Sequence, residues 1–209
     1  MKKRCNCKDE TIETTEITEV NSQSELLDYA DSLLFHRGID LFNRVILFDQ
    51  EISDSSFTFI NNALTILERD PDHSDITIRL NSPGGSVSAT LAIMSRMRSG
   101  TCRVNVDVYG ECYSAALLIL AAGFHRRMCS YSTCMHHSCS FGLEVATLQR
   151  HRGTLAQIQR DDEKFCSLLS RFTLKSKSYW QKLSRKSSDT YFTANESRDL
   201  GLIDAIILD

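Results

Sequence analysis

Short apolar stretches of strand length alternate with helical periods along most of this chain, and small residues stand where strand gives way to helix. Asp75 to Leu80, DITIRL, alternates apolar and polar as a strand does. It runs into Asn81-Ser-Pro-Gly-Gly85 and then into a helical period through Leu91, Met94 and Met97. Arg103 to Tyr109 is a second such strand, followed by Gly110, Ser114 and a short apolar helix. This alternation predicts an α/β fold. Other elements fit it. Helical spacing is present over Ser22 to Phe35 and Ser53 to Arg69, and a strand over Arg44 to Asp49. Met128 to Met135 suits one or two strands, and Leu202 to Leu208 a last one. Glu144 to Phe172 is a long polar helix with a thin apolar stripe: Leu148, Leu155, Ile158, Phe165 and Leu169. Thr193-Ala-Asn-Glu196 fits a capping box, and Gly201 supplies the left-handed stop to that short helix. The segment just before it is therefore read as a fixed loop.

With 209 residues, 42% of them hydrophobic, the chain can bury the core of one domain, read as residues 22–209. Residues 1–21, polar and acidic after the first few positions, are read as a flexible tail. A net charge of -3 gives no electrostatic reason to expect a nucleic-acid partner. The longest apolar run, Ala115 to Ala122, is far short of the about 20 residues a membrane span needs. The start MKKRCNCKDE has no apolar stretch after its lysines, so no secretory signal is read. The eight cysteines are then expected to be reduced thiols in a cytosol-like compartment. Cys129, Cys134, His136, His137 and Cys139 crowd together, but their spacing fits none of the paired Cys-x2-4-Cys zinc patterns. The thiols are read as small apolar filler, with no metal.

Four places could carry chemistry. Ser114 lies at a strand-to-helix joint, where free amides favour an oxyanion; the plainer reading is an N-cap serine. Gly84 and Gly85 let backbone amides approach a ligand closely, or make an ordinary tight turn. The missing Gly-Lys-Ser/Thr ending argues against a phosphate loop. His137 closes a strand; adjacent strand residues face opposite ways, so only one of His136 and His137 can look into a shared site. Asp189, in the loop before the capped helix, could orient an imidazole or simply be a solvated turn residue.

Taken in order, these segments resemble the ClpP family of serine proteases. The likeness runs from Arg37-Gly38-Ile39 to the C-terminus through Asn81-Ser-Pro-Gly-Gly85, Gly110-Glu-Cys-Tyr-Ser114, Met135-His-His137, Asp189-Thr-Tyr-Phe-Thr-Ala194 and Gly201-Leu-Ile-Asp204. The glycine motif is shared with the wider crotonase-like superfamily. The resemblance implies a ClpP/crotonase-like spiral of repeated β-β-α units with a protruding handle helix at about 144–173. It implies Ser114 as nucleophile, His137 as general base, Asp189 as orienting acid, and the amides of Gly85 and Ala115 as the oxyanion hole. No cofactor is needed for the bond-breaking step. It further implies a cytoplasmic homo-oligomer of two stacked heptameric rings, a tetradecamer, fed with unfolded protein or peptide substrates by an AAA+ unfoldase of the Clp type.

The chain departs from the pattern in three places. Ser114-Ala-Ala116 stands where the family usually has Ser-Met-Gly, and Ser138-Cys139 where it has Gln-Pro. The first 36 residues, where the family forms axial loops that engage the unfoldase, do not match. Three other readings use the same residues: a non-catalytic subunit of a mixed ring, a crotonase-like acyl-CoA enzyme using Gly85, and a phage head-maturation protease.

Overall fold

A computed structural model of the chain describes residues 23–139 and 147–208. The tail at 1–21 and the expected first residues of the long helix, 144–146, lie outside them. Three β-α-β steps build the body. β2 (Val45–Asp49), β3 (Ile76–Ser82), β4 (Val104–Tyr113) and β5 (Arg126–Cys129) run parallel, joined by α2 (Asp54–Leu67), α3 (Val87–Ser99) and α4 (Ala116–Ala122). A two-residue strand β1 (Ile39–Asp40) adds antiparallel to β2, and β8 (Ala205–Ile207) parallel to β5. Before β1 comes α1 (Gln23–Arg37). The alternation read from the sequence is thus a mostly parallel sheet flanked by helices.

Alternate residues of β3 and β4, among them Ile76, Ile78, Leu80, Val104, Val106 and Val108, are buried against Ile60 and Leu64 of α2 and Ile93 of α3. Fully burying side chains of this size contributes about 1.5–3 kcal/mol each. All seven residues of α4 are buried, including Ala116, so the core takes the alanine of the Ser114-Ala-Ala116 turn. Serine or threonine side chains cap α2, α3, α5 (Leu148–Phe172), α6 (Lys177–Ser184) and α7 (Ala194–Leu200), each accepting an amide from the first turn. The capping box at Thr193 and Glu196 is formed, and Gly201 adopts φ 76°, as the spacing predicts.

Two elements differ from the sequence reading, the strand before Thr193 and a helix ahead of it, and two others are made more definite. Met128 to Met135 divides into the end of β5 and most of β6 (Thr133–His136). The segment before Thr193, read as a loop, holds the strand β7 (Thr190–Phe192), which pairs antiparallel with β6. A helix not anticipated, α6 (Lys177–Ser184), precedes it. The long helix α5 (Leu148–Phe172) does not bury its whole stripe. Phe165, Cys166 and Leu169 are buried, while Leu148 and Leu155 remain 62% and 48% exposed.

Candidate active site

β4 is long because it serves two leaves of the sheet. Its first half pairs with β5, and its second half, Glu111 to Tyr113, pairs with β6. The switch falls at Gly110, which has φ +97°. A Cβ there would lie 2.5 Å from Asn81 Oδ1, so only glycine fits. Asn81 Oδ1 instead accepts the Glu111 amide at 3.0 Å, and Ser132 Oγ accepts the Gly110 amide at 2.9 Å. The second leaf, β4–β6–β7, carries the residues with chemistry.

Ser114 is the first residue past β4 and has φ 54°, a left-handed conformation uncommon outside glycine. Strain of about 1–3 kcal/mol at such a residue needs surroundings that enforce it. Here the Ser114 amide donates to Met135 O on β6 at 2.8 Å. Gly84, at φ +95°, packs so closely that a Cβ on it would stand 2.7 Å from Ser114 Cβ and 2.6 Å from Tyr113 O. The serine is therefore squeezed between the glycine turn and the histidine strand. His137 follows β6, and its Nε2 stands 2.7 Å from Ser114 Oγ. The pair is half-buried. A hydroxyl that close to an imidazole can pass its proton to the ring and attack a carbonyl.

The glycine turn is pinned from the other side. Ile52 donates its amide to Gly84 O at 2.7 Å and accepts that of Ser86 at 2.8 Å, a parallel bridge to Gly85. A Cβ on Gly85, at φ +140°, would meet Ile52 O at 2.3 Å. Among the described residues, neither the Gly85 nor the Ala115 amide donates to a backbone carbonyl. Ile52 was not singled out in the sequence. The paired glycines were the available signal, and the partner strand end could not be read from them.

Asp189 lies one residue before β7. The β6–β7 register pairs His136 with Thr190, so Asp189 comes next in line with His137. Its side chain is exposed, and among the described residues no hydrogen bond joins it to His137. The structure thus brings Ser114 and His137 into contact and places Asp189 beside them in the strand order without contact.

His136 faces the opposite way, as strand alternation requires. It is buried, with Nε2 3.1 Å from Ser184 Oγ. Burial holds its pKa down to about 4. The neighbouring thiols are poor rivals to Ser114. Cys112 and Cys134, paired in register, are fully buried, and burial pushes the Cys112 thiol well above its ordinary range. Cys139 is pushed up to about 12 by burial and by the carboxylates of Asp162 and Asp161. Cys102, Cys112, Cys134, Cys139 and Cys166 carry free thiols.

A family model described as Clp protease matches residues 37–209. The chain belongs to the Clp protease family. Curated relatives of this family member include ATP-dependent Clp protease proteolytic subunit 4 of Rhodococcus jostii, 29% identical over 82% of this chain and 90% of that one. Proteolytic subunit 1 of Mycobacterium leprae is 26% identical over 91% of this chain and 94% of its own. Proteolytic subunit 1 of Rhodopirellula baltica is 30% identical over 80% of this chain and 74% of its own. The family is one of proteases, hydrolases of the ClpP type. Among the described residues no helix is long and apolar enough to cross a membrane.

Proposed function

We propose that this chain is a serine endopeptidase that cleaves peptide bonds of unfolded proteins through an acyl-enzyme. The observation that carries the reading is the 2.7 Å approach of His137 Nε2 to the hydroxyl of Ser114 at φ 54°. His137 takes the hydroxyl proton as Ser114 attacks the carbonyl, then returns it to the leaving amine. The Gly85 and Ala115 amides donate to the oxyanion, and each such donor stabilises the transition state by about 3 kcal/mol. Asp189 orients the imidazole from Nδ1 once its side chain turns toward the ring, a movement that the shared register makes short.

The exposed Leu148 and Leu155 on α5, and Leu26, Leu27 and Tyr29 on α1, support burial against further copies of the chain. Stacked heptameric rings in the cytoplasm, fed by an AAA+ unfoldase of the Clp type, complete the proposal. The relatives carry "ATP-dependent" in their names. A second reading, a non-catalytic subunit of a mixed ring, is favoured by the exposed Asp189.

One experiment separates them. Mass measurement by size exclusion is combined with fluorophosphonate labelling and peptide cleavage by the wild type and Ser114→Ala. Labelling of the wild type alone, in a large assembly, supports the protease. An assembly that neither labels nor cleaves supports the silent subunit. Labelling that persists in Ser114→Ala rejects the site.

A further inference from the structure

A second serine–histidine contact lies on the buried side of the strand that ends at the proposed general base. His136 Nε2 meets Ser184 Oγ of α6 at 3.1 Å, and that hydroxyl meets Cys166 Sγ of α5 at 3.3 Å. The imidazole lies against Phe165 of α5, ring centroids 5.6 Å apart, and against Trp180 of α6 at 5.5 Å. Only 1% of His136 is exposed, and its Nδ1 makes no hydrogen bond among the described residues. A polar ring sits where an apolar one would need no partner, so its contacts with Ser184 and the Trp180 backbone offset the cost of burial. Such contacts are directional, and they fix the ring to α6.

The position in the chain gives this contact its consequence. His136 is the last residue of β6, and the β6–β7 ladder ends with it. The next tether is the Cys139 amide, which donates to Asp162 Oδ1 of α5 at 3.4 Å. Behind Ser138 and Cys139 lies a cavity of about 370 Å³, also bordered by Asp162, Ser184 and Arg185. His137 is therefore strung between two polar tethers, both leading to the α5–α6 helix pair.

We propose that His136 is a positioning residue. Through Ser184 it anchors the end of β6 to α5 and α6, and so sets where the His137 imidazole stands relative to Ser114. The inference rests on the protease reading. It makes the seating of the long helix a determinant of nucleophile activation. The ionisable groups around His136 are His137 on its own strand, Asp162 and Cys166 on α5; its contacts on α6 are the neutral Ser184 and Trp180.

The test uses the full-length assembled chain and reads the second-order rate of fluorophosphonate labelling at Ser114 against pH, with kcat and KM for a peptide. Ser184→Ala removes the bridging hydroxyl. We expect labelling and kcat to fall about fivefold to tenfold. KM should be unchanged, because the contact is on the far side of the strand from the substrate, and the pH midpoint of labelling should shift. Ser184→Thr, which keeps a hydroxyl, should recover most of the rate. A parallel pair guards against a variant that fails to fold. His136→Gln can still reach Ser184, and His136→Leu cannot, so Leu should label at least fivefold more slowly than Gln. Equal rates and pH midpoints across these variants, with only the melting temperature lowered, would show a purely structural contact and overturn the proposal. Absence of labelling in the wild type would overturn the protease reading beneath it, an outcome distinct from equal labelling in wild type and variants.

Discussion

The two faces of β6 carry the same pair of residue types and use them oppositely. On one face His137 meets Ser114 at 2.7 Å, half-buried, with the serine in a left-handed conformation. On the other His136 meets Ser184 at 3.1 Å, sealed under Phe165 and Trp180. Residue type does not distinguish them. Access, backbone conformation and the presence of free amides do. A serine–histidine contact becomes chemistry only where a carbonyl can reach it and an oxyanion can be received.

The largest expected effect breaks the comparison at its serines. Ser114→Ala should lose peptide cleavage by a thousandfold or more, to the level supplied by the oxyanion amides and binding alone, about 10³–10⁴ over water. Ser184→Ala should keep a measurable, slower reaction. Loss of cleavage in both alike would erase the distinction.

The buried face should dominate stability instead. Trp180 is fully buried, and its indole donates to Thr173 Oγ1 at 3.1 Å. Trp180→Ala should destabilise by about 3–5 kcal/mol, measured by urea unfolding at fixed protein concentration. A loss under about 1 kcal/mol would mean that the site collapses readily and does not seal the histidine.

The histidines should also part in acid. His136 is held down to about 4 from an ordinary 6.5, chiefly by burial. A lowered histidine pKa contributes stability that is complete above about 6.5 and lost as pH falls toward 4. The expected loss across that window is about 3 kcal/mol. His136→Leu should flatten this part of the stability profile. An unchanged slope in that variant would assign the acid sensitivity elsewhere.

The smallest effect sharpens the open side of the pair. Asp189 is exposed and not bonded to His137 here, so Asp189→Asn should slow cleavage by about a hundredfold, less than removal of a group in contact. A change within twofold would show that the carboxylate takes no part.

Several of these features were legible in the residues. Alternation from strand to glycine turn to helix predicted the parallel sheet because period 2 and period 3.6 are written directly in side-chain polarity. Thr193, Glu196 and Gly201 announced their helix from both ends because caps are local chemistry. β7 and α6 were not read. β7 has three residues, Thr190 to Phe192, too short for a period, and it is a strand only because β6 lies beside it. α6 buries Trp180, Leu183 and Ser184 over a mean composition that is polar, and a one-turn stripe of that kind gives little signal.

By itself the sequence determined the α/β class, the small residues at each strand-to-helix joint, and the choice of Ser114 and His137 as residues that could react. It also required that His136 and His137 face apart, since neighbours on a strand must. Which histidine is buried, which serine each one meets, and how far Asp189 stands from the imidazole were decided by tertiary structure. Those outcomes depend on β4 bending away at Gly110 and on α5 and α6 closing over one face. These contacts join residues 23 and 48 positions apart. No local rule relates residues so distant along the chain, and only their shared packing does.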